Sequence, residues 1–66
     1  MTPDAFRQWL AAMKAAGLAR NERDCADALG ITERTLLRIK LAGSDKRTAL
    51  ACNALIYRIG EYDPTV

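Results

Sequence analysis

Histidine is absent from this chain of 66 residues, and cysteine occurs only twice. Without histidine there is no Ser–His or Cys–His pair to activate a nucleophile, and no glycine-rich phosphate cradle is present, so an enzyme is not expected. Cys25 and Cys52 alone cannot furnish a four-ligand zinc site, and a secreted disulfide scaffold would carry more cysteines. No metal, cofactor or small-molecule ligand is therefore expected. Both cysteines sit among Ala and Leu, where a free thiol behaves as a small apolar core group, and reduced core thiols point to the cytoplasm. Apolar runs of about 18 residues, enough to cross a bilayer, are missing as well. The opening MTPDAFRQW has no basic segment leading into an apolar stretch, so it does not read as a signal peptide. The expectation is a soluble cytoplasmic protein without a membrane partner.

Alternation with the period of a strand is also missing, whereas four stretches carry a helical period. The expected class is all-α, a single small domain over residues 1–66. In the first helix Thr2 is the cap, Pro3 suits the first turn and Asp4 faces the positive end of the dipole. Phe6, Trp9, Leu10 and Met13 form its apolar stripe, which makes Trp9 a core residue rather than a stacking platform for bases. Gly17 closes it. A brief second helix is capped by Asn21, buries Cys25, Ala26 and Leu29, and stops at Gly30. Thr32 caps the third, about residues 32–42, whose buried face is marked by Leu36 and Ile39 with Ala42 or Leu41 near its end. Ser44 or Asp45 caps a fourth helix from about Lys46 to Ile59, in which Ala49, Cys52, Leu55, Ile56 and Ile59 keep a helical spacing and Gly60 is the terminator.

The informative stretch is residues 22–43, ERDCADALGITERTLLRIKLAG. Two short helices are joined there by so few residues that they must cross steeply. Gly30 stands where a left-handed backbone is needed, and Ala26 is small where the helices would meet. Leu29, Ile31, Leu36 and Ile39 supply apolar contacts between them. This is the helix-turn-helix pattern, whose second helix can lie in the major groove of DNA.

On these residues the chain resembles the phage-repressor and Cro-like, or XRE-type, helix-turn-helix family. Ala26, Leu29, Gly30, Ile31, Thr32, Leu36 and Ile39 carry the resemblance, which is clear over 22–43 and extends to the flanking helices. Glu22 stands where the family often has a glutamine, and Gly43 falls about one residue later than usual. The resemblance implies a lambda-repressor-like domain of four or five helices. The family's usual fifth helix has little chain left for it beyond Gly60. It also implies that the positions of Glu33, Arg34 and Arg38 meet base edges.

Charge supports the same face. Residues 32–47 hold five basic and two acidic side chains, a net of +3, while the remaining fifty hold five basic and six acidic, a net of −1. Arg34 and Arg38, one turn apart, can each offer a fork to guanine O6 and N7. Thr35 lies on the same side as a further base-reading candidate. Glu33 either accepts a hydrogen bond from cytosine N4, pairs with an arginine, or simply favours the helix dipole. Thr32, Lys40, Lys46, Arg47 and Arg23 are the candidates for holding phosphates, with Arg20 beside Arg23. Lys46 and Arg47 would join the helix-four amides in a clamp.

One recognition helix reads only about four or five base pairs, and the resembled family pairs two across successive major grooves about 34 Å apart. The expected protein is accordingly a homodimeric repressor of an inverted-repeat operator in double-stranded DNA. By family analogy it is autoregulatory and of phage or mobile-element type, such as the regulators that accompany anti-CRISPR genes. Leu55, Ile59 and Tyr62 are the candidate dimer surface; Tyr57 and Tyr62 read equally well as completing the monomer core. Two other readings stay open: a protein-interaction module, such as an antirepressor or inhibitor, on the same scaffold, and a DNA-binding antitoxin.

Overall fold

In the computed structural model, which describes residues 1–59, the chain forms α1 (Pro3–Ala15), α2 (Glu22–Leu29), α3 (Glu33–Ala42) and α4 (Lys46–Ile56). No strand occurs among the described residues. Each helix opens on a residue whose side chain accepts a hydrogen bond from an amide of the first turn. Thr2 accepts from Ala5, Asn21 from Asp24, Thr32 from Thr35 and Asp45 from Thr48. These caps satisfy amides that have no partner within the helix.

Three of the four helices end in the same way. At the end of α1 the amides of Gly17 and Leu18 bond the carbonyls of Lys14 and Met13. At the end of α2 the amides of Gly30 and Ile31 bond those of Asp27 and Ala26. At the end of α4 the amides of Arg58 and Ile59 bond those of Leu55 and Ala54. Each of these Schellman closures needs one residue in the left-handed region, and Gly17, Gly30 and Arg58 supply it at φ 72°, 72° and 59°. The third corrects the expectation for α4. The apolar period runs on to Ile59, yet the backbone turns at Arg58, so the helix ends at Ile56 and Ile59 lies 60% exposed. Gly60, Tyr62 and any fifth helix fall outside the described residues.

The core is narrower than expected, with Ala19 as an addition and Leu29, Ala49, Leu55 and Ile56 only half-buried. Phe6, Trp9, Leu10 and Met13 of α1 are buried with Cys25, Ala26, Leu36, Ile39 and Cys52, and so is Ala19 of the α1–α2 connection. Phe6 and Trp9 stack with ring centroids 5.5 Å apart, and the Trp9 indole N–H donates to the Cys52 carbonyl at 2.9 Å, pinning α1 to α4. Leu29, Ile31, Leu55 and Ile56 pack on this core from its edge. Neither Leu41 nor Ala42 completes the buried face of α3. Both are exposed: Leu41 falls on the side of α3 opposite Leu36 and Ile39, and Ala42 is the last residue of the helix.

Both cysteines are free thiols. Burial, with the nearby Cys25 adding to it, pushes the Cys52 thiol up to about 11 from an ordinary 9.0, and burial raises Cys25 too. A thiol raised in the folded state ionises first in the unfolded chain, so its contribution is intact below pH 9 and is lost as pH climbs through 11. The denaturant midpoint is therefore expected to fall across that window, and to fall less steeply in Cys52→Ala. An equal slope in the two proteins would show that the thiol contributes nothing there.

Candidate nucleic-acid interface

α3 turns Leu36 and Ile39 inward, and the opposite side follows from helical geometry. Arg34, Leu37, Arg38 and Leu41 fall at steps of three, one and three residues, and all four are exposed. Arg34 and Arg38 stand about 6 Å apart along the axis. Neither forms an ion pair among the described residues, whereas Arg7, Arg20, Arg23, Lys40 and Arg47 each have a carboxylate partner. Two free guanidinium forks one turn apart are suited to bidentate recognition of paired acceptors.

The other side chains of this region are committed elsewhere to differing degrees. Thr32 caps α3, and its hydroxyl also donates to the Thr35 hydroxyl at 3.0 Å, leaving Thr35 half-buried. Glu33 lies 3.6 Å from the Arg23 guanidinium, both largely in solvent, so of its expected partners an arginine is the one present. Arg20 donates from its backbone N–H and its guanidinium to Asp24, and these bonds hold the Asp24 carboxyl below its ordinary range.

Lys40 departs most from its expected place. It belongs to the inner edge of α3, not the free face. Its ammonium donates to both carboxylate oxygens of Glu22 at 2.9 Å in a half-buried bridge. Its carbonyl accepts a hydrogen bond from Arg7 of α1, also at 2.9 Å. The end of α3 is thus tied to the start of α2 and to α1 through one residue. An arginine at a helix C-terminus also suits the negative end of the dipole.

The start of α4 combines attraction with repulsion. Lys46 is exposed and unpaired among the described residues. Asp45, however, occupies the cap, where the Thr48 backbone N–H, then its hydroxyl and the Arg47 guanidinium, hold its carboxyl below the ordinary range. A carboxylate therefore sits where the expected clamp would place a phosphate, with Arg47 folded back on it at 3.3 Å.

The connection after α3 is fixed by close backbone approach. Ser44 donates its amide to the Met1 carbonyl at 2.9 Å, and the amino group of Met1 donates to the Ser44 carbonyl at 2.9 Å. Gly43, at φ 84° and ψ −174°, passes against this pair.

Of the candidate dimer residues, Leu55 is half-buried against the core, Ile59 is exposed, and Tyr62 lies outside the described residues. Tyr57 is 71% exposed, which weighs against its completing the monomer core. Arg7, Glu22, Leu37 and Leu41 were not among the candidates. Arg7 and Glu22 act through partners 33 and 18 residues away. Leu37 carried a local signal, since helical periodicity sets it on the side of Arg34 and Arg38, away from Leu36 and Ile39.

Compared with protein-family models, curated proteins and solved structures, the chain matches none.

Proposed function

We propose that this domain is a helix-turn-helix DNA-binding regulator that inserts α3 into the major groove of double-stranded DNA. The observation that carries this reading is the pair Arg34 and Arg38. They are cations without an ion-pair partner among the described residues, on the outer face of a helix whose inner face and far end are bound to α1 and α2. The tight connection Gly30–Thr32, with its left-handed glycine and capping threonine, supports the same reading. An α-helix fits the major groove, and arginine is the side chain that reads guanine there. Base reading falls to Arg34 and Arg38, with Glu33 able to accept from cytosine once Arg23 moves to a phosphate. Lys46 is the strongest phosphate candidate. Thr35 is half-buried and a weaker base reader, and Lys40 acts as a brace rather than a phosphate ligand.

Selectivity requires a second recognition helix, so the working form is a homodimer on an inverted repeat, repressing by occupying a promoter. The exposed Leu50, Tyr57 and Ile59 give α4 and its exit apolar surface on which two copies can meet. The same surface also favours a second reading, a module that binds another protein.

The deciding experiment offers the purified protein a randomised duplex library at near-physiological salt and sequences what is retained. An enriched inverted repeat with guanine at fixed positions in each half is the expected result. A folded protein that enriches nothing would overturn the DNA reading in favour of a protein partner.

A further inference from the structure

The outer face of α3 is not uniformly polar. Leu37 and Leu41 are 54% and 72% exposed, while Leu36 and Ile39 are 3% and 7% exposed. A single exposed leucine is ordinary. Here two of them alternate with Arg34 and Arg38, so the strip reads guanidinium, isobutyl, guanidinium, isobutyl. Leu37 also helps to line a cleft with Arg34, Leu36, Glu33, Arg23 and Glu22, where α2 and α3 begin. Its side chain is therefore set between the arginines at the edge of this cleft, not at a frayed end.

What such a strip can recognise follows from the groove itself. Of the base edges displayed in the major groove, only thymine carries an apolar group, the C5-methyl. A phosphate or a guanine edge gains nothing from an isobutyl group, whereas a methyl gains contact and leaves water. The flanking cations select a polyanion as the occupant rather than an apolar protein surface.

We infer that Leu37 is a specificity-determining residue that packs on a thymine methyl between the base pairs taken by Arg34 and Arg38. This inference rests on the DNA reading of α3 given above. Leu41, one turn further along, extends the same apolar contact toward the end of the helix.

The test uses the enriched duplex and replaces its thymines one at a time by deoxyuridine, which keeps base pairing and removes only the methyl. Wild-type protein is expected to lose about fourfold in affinity at one thymine of each half-site, the effect of one buried methyl group. Leu37→Ala, which alters both copies of the dimer, is expected to bind the thymine duplex about 16-fold more weakly and to treat thymine and uracil at that position alike. Its melting temperature should match that of wild type, because the side chain supports no core contact.

Undiminished discrimination between thymine and uracil in Leu37→Ala would overturn the inference, and so would wild-type indifference at every thymine. A loss of dimer mass in Leu37→Ala would also overturn it, by assigning the residue to a protein interface. If a duplex is enriched and Arg38→Ala abolishes that preference, yet no methyl coupling appears, the inference alone falls. If no duplex is enriched, the DNA reading and the inference fall together.

Discussion

Gly43→Ala is expected to destabilise the domain by about 2–4 kcal/mol, far more than alanine at Gly30. Two independent costs meet at Gly43. Its backbone, φ 84° and ψ −174°, lies in a region that essentially only glycine enters. A Cβ there would also stand 2.7 Å from the Met1 carbonyl oxygen and 3.3 Å from Pro3 Cδ. The Met1 backbone cannot easily withdraw, because it is bonded in both directions to Ser44. Gly30 shares the positive φ but has open space around its missing Cβ. Alanine there carries only the left-handed penalty, about 1–2 kcal/mol, and asparagine less. For a domain of this size each kcal/mol shifts the melting temperature by about 4–8 °C, so thermal melts separate the two cases. Equal shifts at Gly43 and Gly30 would mean that Met1 moves aside.

The second large effect concerns the outer face of α3. Against the selected duplex, Arg34→Ala and Arg38→Ala should each cost about 1–3 kcal/mol per half-site, roughly 5- to 150-fold in affinity for each half-site. Preference at one guanine per half-site should relax with it. Lys46→Ala should weaken selected and random duplexes by similar factors, because a phosphate contact carries no sequence information. All three side chains are exposed and unpaired among the described residues, so folding stability should stay within about 0.5 kcal/mol of wild type. Losses that are the same on both duplexes for all three variants would remove the division between base readers and phosphate holders.

Local chemistry explains which parts of this structure could be read from the chain. A cap acts over three residues, so Thr2, Asn21 and Thr32 revealed the starts of their helices directly, and Asp45 was one of two candidates. The stripe of Phe6, Trp9, Leu10 and Met13 is likewise a matter of spacing within one helix. The end of α4 was not legible, because apolar periodicity continues to Ile59 while a non-glycine residue, Arg58, takes the left-handed turn. For α3, the guanidinium strip followed from periodicity, since Arg34 and Arg38 oppose Leu36 and Ile39. The role of Lys40 did not. On sequence it joined the polar residues opposite the core, and only the packing of α2 and α1 brings Glu22 and Arg7 to its two ends. Such ties depend on tertiary proximity, which no window along the chain contains.

That double use of Lys40 reaches beyond the fold to the ions that surround a duplex. A polyanion holds condensed counterions, and each cation brought to it releases some, so log affinity falls with log salt by about 0.9 per contact. The cations assigned to phosphates, Arg23, Lys40, Lys46 and Arg47, would make four contacts per chain and a slope of about −3.6. Lys40 and Arg47 already face carboxylates, which leaves Lys46 and, once released from Glu33, Arg23. The expected slope is then about −1.8 per chain, measured by titrating salt against a fixed duplex. A slope near the larger value would mean that the bridges of Lys40 and Arg47 also open on DNA. The smaller one would mean that this protein, for all its arginines, tolerates changes in ionic strength better than its charge suggests.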